Sequence, residues 1–402
     1  MFYFNFEEDP SLIELFERDL KPQRILRLLS TYKGEDIHPH VDLIVFDEIQ
    51  ASNNALNALK YFQEEANEYH IATAGSLLGV KMSAPKSFPV GKVNLMPMHP
   101  MTFPEFVDAL GEDRYRQLLE DIDRLDSLPE VLHRDLKALL SNYYLVGGMP
   151  EAVARFIGGG TLKEVRGVQQ DILNSYALDF AKHADAATIP KLSHVWDSIP
   201  TQLARENKKF TFSAIKKSAR ARDYETAVKC LEDAGLIMRA FACSEGKHPL
   251  KGYVDRGSFK VYALDVGLLG AMLNVPLESM AGNDRLFEEY RGAFVENYVA
   301  QQLMSHVGID LYYWKRSGKQ AELDFLLPLE DRVFPLEVKA GVNPRSKSLK
   351  SYDQQFNPDL LLRVTLLNLK FNGKILNIPL YGVMSIERFI RLAEGYGEVS
   401  EV

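Results

Sequence analysis

Leu43-Ile44-Val45-Phe46-Asp47-Glu48-Ile49-Gln50 reads as an apolar strand that ends in two adjacent acids. Such an ending suits magnesium–nucleotide chemistry: the first carboxylate holds the Mg²⁺ shell and the second polarises an attacking water. A second acidic set lies toward the C-terminus. Gln320-Ala321-Glu322-Leu323-Asp324-Phe325 alternates, so Glu322 and Asp324 share one strand face, and Phe334-Pro335-Leu336-Glu337-Val338-Lys339 sets Glu337 beside Lys339. With a turn over Leu329 to Arg332, the two strands pair as a hairpin and cluster Asp324, Glu337 and Lys339. Two carboxylates and a lysine suit a Mg²⁺-bound water attacking a phosphodiester: the acids hold the cation and the lysine orients the nucleophile.

The elements around Asp47 alternate strand and helix. Phe2, Phe4 and Phe6 open with a strand, and Pro10 to Leu29 reads as a helix. Asp42 to Phe46 is a strand whose unbroken apolar run suits a parallel sheet covered on both faces. Ala51 to Glu68 is a helix, His70 to Ser76 a third strand and Lys92 to Leu95 a short fourth. This order implies a parallel sheet with right-handed crossovers, in which ligands sit beyond the carboxyl ends of the strands. Asp47, Glu48 and Ser76 would converge there.

A complete site of this kind also needs a G-x-x-x-x-G-K-S/T loop, whose N–H groups cradle the phosphates. Gly34 is the sole glycine before Leu43, and the loop motif occurs nowhere among the 402 residues. Tight ATP binding and turnover by this polypeptide alone are therefore not expected. Either the loop was lost or the gene start is shortened.

Leu43–Gln50, Thr73–Ser76, Met101-Thr102-Phe103-Pro104-Glu105-Phe106, Gly147-Gly148-Met149-Pro150 and Lys260-Val261-Tyr262-Ala263-Leu264-Asp265-Val266-Gly267 occur in this order. Together they resemble the prokaryotic AAA-like ATPases that carry a C-terminal domain of unknown function similar to restriction-type nucleases. The resemblance implies an α/β architecture. It comprises a truncated ATPase core with Walker B and sensor strands at 1–110, a helical lid at 111–189, a winged helix at 190–275 and a nuclease-like α/β domain at 286–402. It makes Asp47 and Glu48 the magnesium and catalytic acids and Ser76 a γ-phosphate sensor, with ATP and Mg²⁺ as cofactors. Asp324, Glu337 and Lys339 resemble the PD-(D/E)xK nuclease core. Glu296, in Phe294-Val295-Glu296-Asn297-Tyr298, fits the acid of that fold's first helix, so Glu296, Asp324 and Glu337 would be its metal ligands. Two departures stand out: Gly91-Lys92 replaces the usual Gly-Arg, and Leu323 rather than proline precedes Asp324.

Lys216, Lys217, Arg220 and Arg222 form a basic run over the end of a first short helix, Phe212–Ser218, and the turn into a second, Tyr224–Asp233, with Cys243 to Asp255 as the wing. In a winged helix such cations meet DNA phosphates. A solvated helix face, or a wing docked on its own neighbour, reads the same residues equally well. Lys315-Arg316-Ser317-Gly318-Lys319 and Arg345-Ser346-Lys347 bracket the nuclease-like strands and could follow the same backbone. The net charge of −8 argues against a generic nucleic-acid coat but leaves room for local basic patches.

A hydrophobic share of 46% and a charged share of 25% are those of an ordinary soluble protein. No apolar run reaches the roughly 18 residues of a membrane span, and the N-terminus has no signal-peptide pattern, so a cytoplasmic protein without membrane partners is expected. Cys230 and Cys243 lack metal-ligand spacing, which suits a reducing compartment, with Cys230 in the core. The histidines show no paired spacing, and Trp196 and Trp314 read as packing anchors. AAA-like sites often form between subunits, so a homo-oligomer fits. Three readings compete: an ATPase-derived protein that handles DNA, a Mg²⁺-dependent nuclease, and a non-catalytic winged-helix module for DNA or protein.

Overall fold

The computed structural model describes residues 1–75, 91–205, 208–276, 285–305, 310–316, 321–341 and 346–399. Ser76, Gly318, Lys319 and Arg345 lie outside them. Residues 1–98 with 180–189 and 229–235 form one compact unit; 99–179, 190–228 and 236–402 form another.

In the first unit, β1 (Phe2–Asn5), β2 (Leu43–Asp47) and β3 (His70–Thr73) make a parallel sheet with β2 in the middle. Parallel neighbours need crossovers, here α1 (Ser11–Glu14) with α2 (Pro22–Lys33), then α3 (Asn53–Glu65). The helix expected over Pro10–Leu29 is thus two. Pro22 stands in the first turn of α2, and the residue before it, Lys21, is extended at φ −72° and ψ 117°, because a proline ring disfavours helical backbone just ahead of it. Ser52 caps α3, its hydroxyl accepting from Ala55 N at 3.1 Å. Phe46 is fully buried, its ring 5.7 Å from Phe6 and 5.8 Å from Phe16, both edge-on. This aromatic layer fixes the strand that ends in Asp47. Cover on both faces of β2 was expected, yet Leu43 is 37% exposed and Val45 only half-buried. Lys92–Leu95 is not a strand: Val93 packs on the core, Leu95 is exposed, and Gly91 and Pro97 flank a run too short to hold a ladder.

The second unit begins with helices. These are α4 (Phe103–Ala109), α5 (Asp113–Glu120), α6 (Glu130–Val146), α7 (Pro150–Ile157), α8 (Leu162–His183, whose end belongs to the first unit) and α9 (Ile189–Leu203). Thr102 and Glu105 form a capping box on α4, with Thr102 N donating to the Glu105 carboxylate at 2.7 Å. After α10 (Phe212–Ile215) and α11 (Ala221–Asp233) come β4 (Ile237–Cys243) and β5 (Val254–Ala263), then α12 (Val266–Met272) and α13 (Arg285–Ser305). The remaining elements are β6 (Tyr312–Lys315), β7 (Glu322–Leu329), β8 (Arg332–Val338), α14 (Lys347–Phe356), β9 (Leu361–Thr365), β10 (Lys370–Phe371), β11 (Ile375–Pro379) and α15 (Ile386–Val399).

Eight of these strands form one mixed sheet in the order β10-β11-β9-β8-β7-β6-β4-β5. The pair β4–β5, expected within the winged-helix segment, therefore shares a sheet with the strands of 286–402, since Phe241, Ala242 and Cys243 pair in parallel with Tyr312, Tyr313 and Trp314. The helix expected over Phe212–Ser218 ends at Ile215. β7 and β8 pair antiparallel from Leu329↔Arg332 to Phe325↔Leu336, as the alternation demands. Trp314 is fully buried at the sheet core and Trp196 nearly so. Cys243 is buried, which pushes its thiol up to about 12, whereas Cys230 is only half-buried.

The Gly147-Gly148 corner closes α6. Gly147 has φ +74°, and a Cβ there would lie 2.1 Å from Asp265 Oδ1; one on Gly148 would lie 2.0 Å from the Met101 carbonyl. Only glycine permits this approach. Asp265, fully buried, accepts from Gly148 N at 2.6 Å, from Leu268 N at 2.9 Å and from Gln301 Nε2 at 3.0 Å. It ties the corner to α12 and α13.

Candidate functional site

In the first unit the acids sit at the carboxyl end of the central strand, where an α/β sheet presents its ligand site. Asp47 lies opposite Asn5 of β1. Its Oδ2 accepts the Tyr3 hydroxyl and, at 3.4 Å, the Asn5 amide; its Oδ1 accepts Glu48 N at 3.0 Å. The hydrogen bond to Asp47 raises the Tyr3 phenol, since losing that proton would oppose two negative charges. Glu48 stands in the left-handed region at φ 52°, turning the chain sharply out of β2, and its carboxylate accepts the Gln50 amide. Ala74 N donates to Phe46 O at 2.9 Å and Ile49 N to Ala74 O at 3.2 Å, so the turn is bonded to the end of β3. The donors to both carboxylates are neutral, and among the described residues neither acid is ion-paired to a lysine or arginine. Two such carboxylates fit a hydrated divalent cation: Asp47 would hold its water shell and Glu48 a water beyond it. The sensing position, Ser76, is outside the described residues.

The second unit brings together part of the expected metal set and adds groups the sequence reading missed. Glu322 and Asp324 are half-buried on one face of β7, while Leu323 and Phe325 are fully buried on the other. Glu337, buried, pairs with Lys339 at 2.7 Å. Asp324 Oδ2 accepts Val338 N at 2.8 Å. Glu296, on α13, faces three unforeseen partners: the Lys208 ammonium, Lys260 at 3.1 Å and the Tyr262 hydroxyl at 2.6 Å. Lys260 Nζ also lies 2.8 Å from Glu322 Oε1 and 3.9 Å from Asp324 Oδ1, with the Tyr313 ring centroid 4.9 Å away.

Alternation along Phe259-Lys260-Val261-Tyr262 offered one signal: a lysine inside an apolar strand must find partners or leave the core. Lys208 gave none, since it meets Glu296 across 88 residues.

Burial and charge compete here. For Lys260, burial opposes the ammonium, but Glu296, Asp324 and Glu322 outweigh it and raise its pKa. For Glu296, burial favours the neutral acid, yet Lys208 and Lys260 hold it down to about 2. Asp324 is pushed up to about 6 by burial and by the Glu296 charge. Burial also raises Glu337, opposed by Lys339, Arg363 and the Leu349 N–H at the start of α14. Among the described residues no three His, Cys, Asp or Glu side chains form a metal-binding group. Glu296 does not fit as a ligand, because its oxygens are already held by two ammonium groups and a phenol.

The basic run sits at the α10–α11 turn. Lys216, Lys217 and Arg220 are exposed and have no ion pair among the described residues, while Arg222 lies 3.7 Å from Asp223. Among the described residues no helix is long and apolar enough to cross a membrane.

Residues 1–107 match the family described as an AAA domain, residues 137–279 a domain of unknown function (DUF8612) and residues 291–381 another (DUF4143). Uncharacterized proteins of Mycobacterium tuberculosis and Mycobacterium bovis are each 35% identical over 105 residues, which is 25% of this chain and 22% of each relative. The chain thus matches about a fifth of the length of those relatives. Among solved structures, a Walker-type ATPase of Pyrococcus abyssi aligns over 62% of this chain and 67% of its own, at 14% identity and a TM-score of 0.37. The match to an AAA domain is confined to residues 1–107, and in that part the chain resembles an ATPase.

Proposed function

We propose that this chain is an AAA-type, ATPase-like protein that acts with nucleic acid, and that Asp47 and Glu48 are its magnesium and water-polarising acids. The observation that carries this is their position at the carboxyl end of the central parallel strand, held by neutral donors, inside the AAA-like residues 1–107. Tyr3, Asn5 and Gln50 keep both carboxylates in place without neutralising them, so the negative charge is available to a cation. No G-x-x-x-x-G-K-S/T loop occurs in these 402 residues, so phosphate affinity here lacks the N–H cradle and lysine that dominate it elsewhere.

The test is titration with Mg²⁺–ATP. Weak, Mg²⁺-dependent binding is expected, lost in Asp47→Ala, with any turnover lost in Glu48→Gln. Submicromolar affinity would overturn the incomplete site, and binding unchanged by Asp47→Ala would sink the assignment of the acid.

Nucleic-acid association rests on the exposed cations Lys216, Lys217 and Arg220 at the α10–α11 turn, which have no ion pair among the described residues. Replacing all three by alanine should weaken duplex binding alike for unrelated sequences. It should also flatten the salt dependence by a slope of about 3, near 0.9 per phosphate contact. An unchanged slope would remove the run from the DNA interface and favour a surface for protein.

A further inference from the structure

Glu296, Glu322 and Asp324 come from a helix and a strand yet converge on a single point, and that point is filled. The Lys260 ammonium stands there, 3.1 Å from Glu296, 2.8 Å from Glu322 and 3.9 Å from Asp324. We propose that Lys260 is a built-in cation filling the metal position of this carboxylate cluster, so that the cluster is held together without a divalent ion.

Three features close the position. Lys260 is 1% exposed and lies in the middle of β5, where Ala240↔Lys260 and Met238↔Tyr262 register fixes its backbone. Its ammonium has the Tyr313 ring on one side, a favourable place for a desolvated cation. Glu296 carries a second ammonium, Lys208, on Oε2 and the Tyr262 hydroxyl on Oε1, so both of its oxygens are already engaged. A Mg²⁺ ion demands oxygen ligands at about 2.0–2.1 Å in an octahedron. Here it would have to displace an ammonium whose side chain is only 2% exposed, or share the site with it against like-charge repulsion.

The neighbouring pair does not supply an alternative. Lys339 is bound to Glu337 at 2.7 Å, and although Glu337 Oε2 has no hydrogen-bond partner among the described residues, one carboxylate oxygen does not make a cation site. A nuclease-like strand pair would thus serve here as a scaffold, with lysine doing the electrostatic work of a metal. Phosphodiester hydrolysis by a metal-bound water would have no place at this cluster.

The experiment is Mn²⁺ binding to the full chain, read from the loss of the free-ion electron paramagnetic signal and from the thermal midpoint. Asp47→Ala is built into every variant, so that the acids of the first unit do not contribute. With Lys260 in place, no Mn²⁺ bound at the cluster and no upward shift of the midpoint are expected. Lys260→Met should gain one bound Mn²⁺ and a midpoint that rises with it, and adding Asp324→Asn should abolish both gains. Mn²⁺ bound with Lys260 intact and lost on Asp324→Asn would overturn the proposal, as would a folded Lys260→Met that gains nothing. If Lys260→Met does not fold, Lys260→Gln, which keeps all three acids and a neutral polar side chain beside them, takes the same measurement with the same gain expected and the same failure overturning the proposal. The result with Lys260 intact decides independently of either.

Discussion

At the end of β2, Asp47 and Glu48 are met by a phenol, two side-chain amides and a backbone N–H. On the sheet of the second unit, Glu296 is met by two lysines and a phenol in a nearly dry setting, its side chain 6% exposed and that of Lys260 2%. The residue types overlap, but the electrostatics are opposite. Neutral donors orient a carboxylate and leave its charge for something that arrives later. Ammonium groups consume the charge, and in a buried place they must, because an unpaired carboxylate there costs several kcal/mol. An acid's ability to take a metal is therefore set by which cations the fold has already placed beside it. A spacing such as E-x-K does not contain that information.

The comparison breaks most visibly when one acid of each kind is removed. Glu296→Ala leaves Lys208 and Lys260 facing each other with one carboxylate fewer, and should cost about 3–5 kcal/mol, as for a broken buried pair. Asp47→Ala removes a partly exposed acid with neutral partners and should cost about 1 kcal/mol or less. Urea unfolding of the two variants measures both. If Glu296→Ala costs no more than Asp47→Ala, the buried cluster is not the closed ion-pair network described above.

Much of this could be read in the chain before folding. The apolar run into Asp47 and the alternation through Glu322 and Asp324 placed both acidic sets on strands, because each depends on neighbours within eight residues. Gly147-Gly148 announced a corner, though not the buried Asp265 that demands it. What remained hidden was non-local. Lys260 reaches Glu296 across 36 residues, and Phe241 pairs with Tyr312 to join β4 and β5 to the C-terminal strands. Periodicity assigns a face to a lysine but not the element that will cover that face. The same gap made Lys92–Leu95 look like a strand: four residues carry a β-like pattern without saying whether a neighbour exists to pair with.

A smaller effect follows from pH, and it belongs to the closed cluster. Glu296 is held near 2, below its ordinary 4.5, so its stabilisation is present above about 4.5 and is lost as pH falls through about 2. Asp324 is raised to about 6 from 3.8, so the folded state binds the extra proton. Its contribution is fullest below about 4 and is lost as pH rises through about 6. Stability should climb through the lower window and decline through the upper one. Asp324→Asn should flatten the decline and leave the climb; a decline that persists in this variant would place its origin elsewhere.

The smallest effect tests the open side. Tyr3→Phe removes the phenol from Asp47 Oδ2 while the Asn5 amide and Glu48 N–H remain. Tyr3 is 42% exposed, so water can replace the lost donor, and the stability change should stay within about 0.5 kcal/mol. Mg²⁺-dependent nucleotide binding should be kept or slightly strengthened, because the cation's water shell no longer has to displace a hydroxyl. A loss above about 2 kcal/mol, the scale of a buried unsatisfied group, would show that Asp47 is committed to structure in the way Glu296 is. The two acids would then differ only in whether the partners that hold them are charged, and neither would be free to receive a cation.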